Sequence, residues 1–172
     1  RTRSTDLAGR LSGTFAQHLI VGVGGYTGKL GNDKVGSAPT LHTASRATAV
    51  VAWSDTNWKV GAEYFTATDW KNVTTVASDS ADGYSVFGNI KVTPTVAVFA
   101  RADQVKLSKT VSPAAKETYY NVGISYSPAK IVDCSFAYKY DKVEGGTLSS
   151  GLSPTAIGGS IDGTYSEVGV FG

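Results

Sequence analysis

Charged residues stand at alternate positions in several stretches of this chain, and apolar side chains fill the positions between them. Alternate residues of a β-strand project from the same face, so these stretches predict strands with one charged face and one apolar face. Charged side chains along a water-filled wall can select ions by their sign. The predicted charged face holds six basic and five acidic residues, which are Arg10, Arg46, Lys59, Glu63, Lys91, Arg101, Asp103, Asp133, Lys139, Asp141 and Glu167.

This balance of charge predicts no preference between anions and cations. We expect most of these groups to hydrate the wall and to pair across strands, each pair contributing ~0.2–1 kcal/mol. Arg46, Lys59 and Arg101 are the candidates for a selectivity ladder. The net charge of +2 and the scattered basic residues do not predict a nucleic-acid partner.

The residues for enzymatic chemistry are few. The two histidines, His18 and His42, fall beside a short turn and in a long loop, which hairpin geometry separates by about the thickness of a bilayer. They therefore cannot share one acid–base site, and a pairing of His42 with Asp69 lacks further support. The single cysteine, Cys134, is predicted on the apolar face and has no metal-site spacing. We expect no enzymatic activity, cofactor or metal.

Alternation with a period of two predicts nine strands. Most are longer than the usual ~5–6 residues of a soluble strand and match a tilted crossing of a bilayer. Glycine-rich Gly22–Gly28 lies inside the second strand with no helix after it, which argues against a phosphate-binding loop. The predicted ranges are Thr5–Phe15, His18–Lys29, Ser45–Trp53, Trp58–Thr68, Tyr84–Val92, Thr95–Val105, Tyr119–Tyr126, Val132–Lys142 and Thr164–Gly172.

Short and long connections between these strands alternate. The short ones are Ala16–Gln17, Ser54–Asn57, Thr93–Pro94 and Ser127–Ile131, and the long polar ones are Leu30–Ala44, Asp69–Gly83, Lys106–Thr118 and Val143–Gly163. Transmembrane β-barrels have short turns at one end and long loops at the other. No apolar run approaches the ~20 residues of a transmembrane helix. The sequence therefore predicts an all-β fold, with residues 1–172 forming one region of an antiparallel transmembrane β-barrel.

Aromatic residues on the predicted apolar face lie near the strand ends, and small aliphatic residues fill the middle. Two aromatic girdles around an aliphatic band are typical of the two bilayer interfaces. The girdle beside the short turns is Trp53, Trp58 and Tyr126, and the girdle beside the long loops is Tyr64, Tyr84, Tyr120 and Tyr138.

Four stretches resemble the C-terminal half of proteobacterial outer-membrane porins. They are GGYTGKLGND, GAEYFTATDWKNVTT, DGYSVFGNIKVTPTVAVFARAD and the terminal IDGTYSEVGVFG. The resemblance implies a location in the outer membrane of a Gram-negative bacterium, contact with the lipid bilayer and lipopolysaccharide, and assembly as a homotrimer. It carries no catalytic motif.

The number of strands has a consequence for closure. Bacterial single-chain barrels are mostly even-numbered, and an unpaired strand edge is not tolerated in lipid. We therefore expect this chain to be the C-terminal portion of a larger barrel of 16 or more strands. The alternative is that the strand count is wrong by one, in which case the chain would form an eight-stranded barrel with a filled interior and no aqueous pore.

These observations favour a porin that allows passive diffusion of small hydrophilic solutes or ions. Inward-folding loops would set the size limit, and the charged wall would filter weakly by charge. Two alternatives stay open. One is a non-conducting outer-membrane barrel that serves as a scaffold for a partner protein, and the other is a soluble β-sandwich or adhesin module.

Overall fold

Nine consecutive antiparallel strands form a single sheet in the order of the sequence. A computed structural model describes residues 4–33, 39–70, 73–74, 76–129, 131–145 and 163–171. The strands are β1 (Leu7–Phe15), β2 (Leu19–Gly28), β3 (Ala44–Ser54), β4 (Trp58–Thr68), β5 (Ser80–Lys91), β6 (Val96–Lys106), β7 (Lys116–Ala129), β8 (Val132–Glu144) and β9 (Gly163–Phe171). Each strand pairs with the next, and β1 and β9 do not meet, so the sheet is open in the described part of the chain.

The nine predicted strands are confirmed, and the largest differences at their ends lie in the fifth and seventh strands. At the turn end the seventh strand continues to Ala129, into the predicted connection Ser127–Ile131, because it keeps pairing with β8 beyond an irregularity after Tyr126. The fifth strand begins at Ser80 rather than Tyr84, and the seventh begins at Lys116 rather than Tyr119. In these extensions the positions of the apolar face hold polar residues, namely Ser80 and Asp82 in β5 and Lys116 and Thr118 in β7, so alternation of apolar residues could not reveal them. Backbone pairing and ion pairs hold them instead, including Lys116 Nζ to Glu144 Oε2 at 3.1 Å.

Short and long connections lie at opposite ends of the sheet. Residues 16–18, 55–57, 92–95 and 130–131 join strands at the turn end, and residues 29–43, 69–79, 107–115 and 145–162 join them at the loop end. Most of the longest predicted connection, Val143–Gly163, lies outside the described residues. In the described segments there is no helix, and hence none long and apolar enough to span a membrane.

The sheet has two faces of different chemistry, which we call the apolar face and the polar face. The apolar face is exposed along its whole length: Leu11 is 75 % exposed, Val122 is 49 % exposed and Val170 is 76 % exposed. The buried apolar residues of the described chain are small, namely Ala44, Ala52, Ala67, Val73, Ala115, Ala137 and Val143. The described residues therefore provide no second layer that covers the apolar face.

The strands are staggered in one direction across the sheet. A row of paired residues that begins at Phe15, the last residue of β1, reaches Tyr138 in the middle of β8. This row runs through Phe15, Leu19, Trp53, Val60, Gly88, Ala100, Val122 and Tyr138. The strands are thus inclined to the line that joins their turn ends.

Three phenylalanine rings on the polar face lie over glycines of the neighbouring strand. A side chain at Gly61 would come within 2.7 Å of the Phe87 ring, and one at Gly83 within 2.8 Å of the Phe65 ring. Phe99 lies over Gly123 in the same way. The rings can lie against the backbone only because these three strand positions have no side chain.

The turn between β1 and β2 is strained. Ala16 and Gln17 have φ angles of 47° and 65°, and the N–H of His18 donates to the carbonyl of Phe15 over 3.1 Å. Two successive positive φ angles define the type I′ turn, which fits the twist of a hairpin and favours Asn–Gly. Left-handed backbone costs a residue with a Cβ atom roughly 1–2 kcal/mol.

We predict that Gln17→Gly stabilises the folded protein by about 0.5–1 kcal/mol. Glycine removes the left-handed strain but adds freedom to the unfolded chain, and the two effects offset in part. The measurement is the midpoint of urea unfolding in detergent micelles. Gln17→Ala is the matched control, because it keeps the Cβ atom and should give no gain. Equal midpoints for the two variants would contradict the assignment of strain to this turn.

Candidate functional site: the polar face and its loop rim

The polar face carries the charged residues that the sequence singled out. Cross-strand pairing places ten of them on this face, namely Arg10, Arg46, Lys59, Glu63, Lys91, Arg101, Asp103, Lys139, Asp141 and Glu167. Asp133 alternates along β8 with Lys139 and Asp141 and accepts a hydrogen bond from the hydroxyl of Ser127. The prediction that they share one face is confirmed, because each strand alternates in the phase that its apolar residues indicate. That this face lines a pore stays a prediction.

The two polar-face cations of β6–β9, Arg101 and Lys139, are paired with acids. The Nε atom of Arg101 lies 2.9 Å from both carboxylate oxygens of Asp103. Lys139 Nζ lies 3.7 Å from Glu167 Oε2, and the hydroxyl of Tyr165 donates to the same oxygen over 2.9 Å. Exposed pairs of this kind contribute ~0–1 kcal/mol to stability. Their larger effect is to cancel the positive charge on this half of the face.

The cations of β1–β5 have no such partners. Within the described ranges, no carboxylate lies within ion-pair distance of Arg10, Arg46, Lys59 or Lys91. The numbers of basic and acidic residues on this face are nearly equal, but their arrangement is uneven. The cations on one half of the sheet are unpaired, and those on the other half are neutralised by acids. The pairing of Lys139 with Glu167 depends on the strand register, which composition does not reveal.

We call the described residues at the loop end outside the strands the loop rim. Two aspartates, Asp69 and Asp79, join neighbouring connections of this rim. Asp79 accepts hydrogen bonds from the backbone N–H groups of residues 80 and 109–111. Burial raises the pKa of Asp79, but hydrogen bonds from the Ser108 hydroxyl and from backbone N–H groups outweigh burial and lower its pKa. Asp79 thus fixes the connection 107–115 to the start of β5.

The second aspartate, Asp69, is buried and follows β4. Its Oδ1 atom accepts hydrogen bonds from the Ser78 hydroxyl over 2.8 Å and from the N–H of Asp79 over 2.9 Å. Its Oδ2 atom lies 3.7 Å from Nδ1 of His42. The N–H groups of Leu41 and His42 donate to the carbonyl of Val73, so neighbouring connections are joined by backbone bonds as well.

His42 and Asp69 do not form a hydrolase site with a serine. The Nε2 atom of His42, which would have to face the serine, donates to the carbonyl of Val76 over 3.1 Å. Ser78 donates to Asp69 rather than to the imidazole. His18 lies at the opposite end of the sheet, stacked on Trp53 with ring centroids 5.4 Å apart. Among the described residues, no three His, Cys, Asp or Glu side chains are placed to hold a metal ion.

The predicted girdle residues all lie on the apolar face and are exposed. Trp53, Trp58 and Tyr126 stand near the turn end, and Tyr64, Tyr84 and Tyr120 stand nearer the loop end. Tyr138 lies at the middle of β8 instead, and Tyr140, which is closer to the loop end, stacks on Tyr120 with centroids 4.9 Å apart. Cys134 is a free, exposed thiol on the same face.

A cluster of aromatic residues around Arg46 was not predicted. Tyr26 is the direct cross-strand partner of Arg46, Phe65 follows on β4, and Trp70 lies just beyond β4. The guanidinium carbon is 5.0 Å from the Phe65 centroid and 5.8 Å from the Trp70 centroid. The alternation placed Tyr26 and Arg46 on one face, but Trp70 falls in a predicted loop, where alternation gives no orientation.

Comparison of the chain with protein families, with curated proteins and with solved structures gave no match.

We predict that Asp79→Ala loosens the connection 107–115. Loss of the carboxylate leaves three backbone N–H groups of residues 109–111 without their acceptor, so trypsin should cleave after Lys109 several-fold faster at neutral pH. Asp82→Ala is the control, since Asp82 contacts only the side chain of Lys109 at the same loop, at 2.9 Å. Equal cleavage rates in the two variants would show that Asp79 does not hold the loop.

We also predict how the effect of Asp79→Ala on the free energy of unfolding depends on pH. The pKa of Asp79 is lower in the folded state, so the ionised carboxylate stabilises the fold fully at pH values above its ordinary pKa of 3.8. This stabilisation is lost as pH falls through the lowered folded-state pKa. The difference in unfolding free energy between wild type and Asp79→Ala should be full at pH 6 and should shrink below pH 3.8. A difference that grows on acidification would contradict this sign.

Proposed function

We propose that the chain belongs to an outer-membrane porin that allows passive diffusion of small hydrophilic solutes or ions. The observation that carries the proposal is the exposed apolar face. About twenty large apolar side chains of the strands lie exposed on it. Leaving them in water forgoes on the order of tens of kcal/mol, more than the ~5–15 kcal/mol by which a whole domain is stable. Lipid is the surrounding that a long exposed apolar face with aromatic residues toward its ends fits best.

The stagger of the strands supports a barrel. A sheet can close on itself only if its strands tilt and their pairing shifts steadily in one direction. The row from Phe15 to Tyr138 shifts in this way over eight strands. We propose that the open edges at β1 and β9 are completed by further strands in a barrel of 16 or more.

The polar face supports an aqueous lumen. It carries charged side chains, among them exposed cations without a carboxylate partner, which a lipid-facing or tightly packed surface would not tolerate. The unpaired cations of β1–β5 give the wall a local positive charge, so the proposal includes weak attraction of anions to that half. By its resemblance to porins we extend the proposal to a homotrimer in contact with lipopolysaccharide.

We predict that brominated lipids quench the fluorescence of Trp53 and Trp58 but not that of Trp70. Single-tryptophan variants are reconstituted in vesicles of lipids brominated either near the head group or deep in the acyl chain. Trp53 and Trp58 stand on the apolar face near the turn end, so head-group bromines should quench them most. Trp70 lies beyond the strand and contacts the polar-face residue Arg46, so aqueous iodide should quench it instead. Equal quenching of all three by iodide alone would contradict a lipid-facing surface.

Conductance in a planar bilayer tests the function itself. Stepwise ohmic conductance from the purified protein supports the porin. Lipid quenching without conductance would instead favour a barrel scaffold for a partner protein. A protein that remains monodisperse without detergent and shows no lipid quenching would favour a soluble β-sandwich or adhesin module. Intact mass measured on the same sample shows whether this chain is part of a longer one.

A further inference from the structure

We propose that Arg46 and the aromatic residues around it form a binding site for oxyanions, meaning carboxylate or phosphate groups of small solutes. The site lies on the polar face near the loop end, two residues after β3 begins. It deepens the proposed function, because it requires that the polar face meets water. Binding of an anion at this site does not require that the protein conducts.

The first step is the position of the guanidinium. Phe65 and Trp70 lie 5.0 and 5.8 Å from its carbon, at the distance of cation–π contacts. These rings contact the cation through their π systems and offer it no acceptor atoms. The five N–H donors of arginine lie in the plane of the group. The rings do not accept hydrogen bonds from them, so the donors remain available to a dissolved anion.

The second step is the absence of a competing acid. No carboxylate of the described residues pairs with Arg46, whereas Arg101 on the same face is bound by Asp103 at 2.9 Å. Arg46 is also exposed, so a dissolved anion can reach it. A planar fork of donors matches the two oxygens of a carboxylate or phosphate better than it matches a spherical ion such as chloride.

The ring of Trp70 is held in place by Tyr26, which is in turn held by Asp6. Trp70 meets Tyr26 edge to face, with centroids 5.1 Å apart. The Tyr26 hydroxyl donates to Asp6 over 2.7 Å, and Asp6 also accepts the N–H groups of Lys29 and Gly31. The Lys29 N–H, followed by the Tyr26 hydroxyl, lowers the pKa of Asp6. Asp6 is thus a positioning residue whose charge is satisfied by its own donors and does not occupy Arg46.

This arrangement reduces the entropic cost of binding. A free arginine side chain loses much rotamer freedom when it binds an anion. Rings on the guanidinium restrict it before the anion arrives, which is the usual benefit of preorganisation. We therefore expect oxyanion binding at Arg46 and none of comparable strength at Lys59, an unpaired cation for which no aromatic contact is found in the described residues.

The experiment uses the fluorescence of Trp70 as the reporter. The protein carries W53F and W58F, is held in detergent micelles, and is titrated with sodium acetate, sodium phosphate or sodium chloride at constant ionic strength. We expect a saturable change with acetate or phosphate and none with chloride. Comparing the first two salts shows whether carboxylate or phosphate is preferred.

Three variants decide the assignment. R46Q should weaken binding by about tenfold or more, and R46K should weaken it similarly because lysine keeps the charge but lacks the fork. K59Q, which removes one unpaired cation elsewhere on the face, should change affinity less than twofold. Unchanged tryptic patterns in micelles show that the variants fold.

Several results would overturn the site. They are the absence of saturation, an equal response to chloride, or wild-type affinity in R46K, which would leave only charge attraction. Because the titration needs no bilayer, a protein that binds acetate or phosphate but shows no conductance would refute the porin and not the site. Conductance without saturable binding would do the reverse.

Discussion

Backbone hydrogen bonds between neighbouring strands are the interaction on which the rest of this structure depends. A single sheet has no interior, and the buried apolar residues of the described chain are mostly alanines. Close packing of large side chains, which stabilises most soluble domains, is therefore replaced by eight consecutive antiparallel ladders. In a lipid environment these bonds gain importance, because an unpaired backbone group there has no water to bind.

The ladders also determine the chemistry of the two faces. Because side chains alternate strictly along each strand, a register that places the apolar residues of a strand on one face places the charged residues between them on the opposite face. The same register decides which charges neutralise each other. Lys139 lies opposite Glu167 and is paired with it, whereas Arg46 lies opposite Tyr26 and is left to aromatic neighbours. Local charge on the face thus follows from strand pairing.

Sequence reasoning succeeded where the period of two persists. The nine strands, the faces of the charged residues and the alternation of short and long connections were all predicted, because one repeated signal fixes them. It failed at the loop ends, where strands such as the start of β7 are polar on both faces. The aromatic cluster at Arg46 needed contacts from three separate segments, and the rings over Gly61 and Gly83 needed the exact partner of each residue. Periodicity carries neither kind of information.

The hydrogen bonds at Asp79 have a consequence for how this protein can change in evolution. In the connection 107–115, Asp79 is contacted by the backbone of residues 109–111 and by one side chain, that of Ser108. Most side chains there are free to vary without loss of the anchor, since any residue except proline provides the same N–H. An insertion or deletion would instead shift those N–H groups away from the carboxylate. The outer surface of this loop can therefore drift in sequence and in recognition by other molecules, while its length stays fixed.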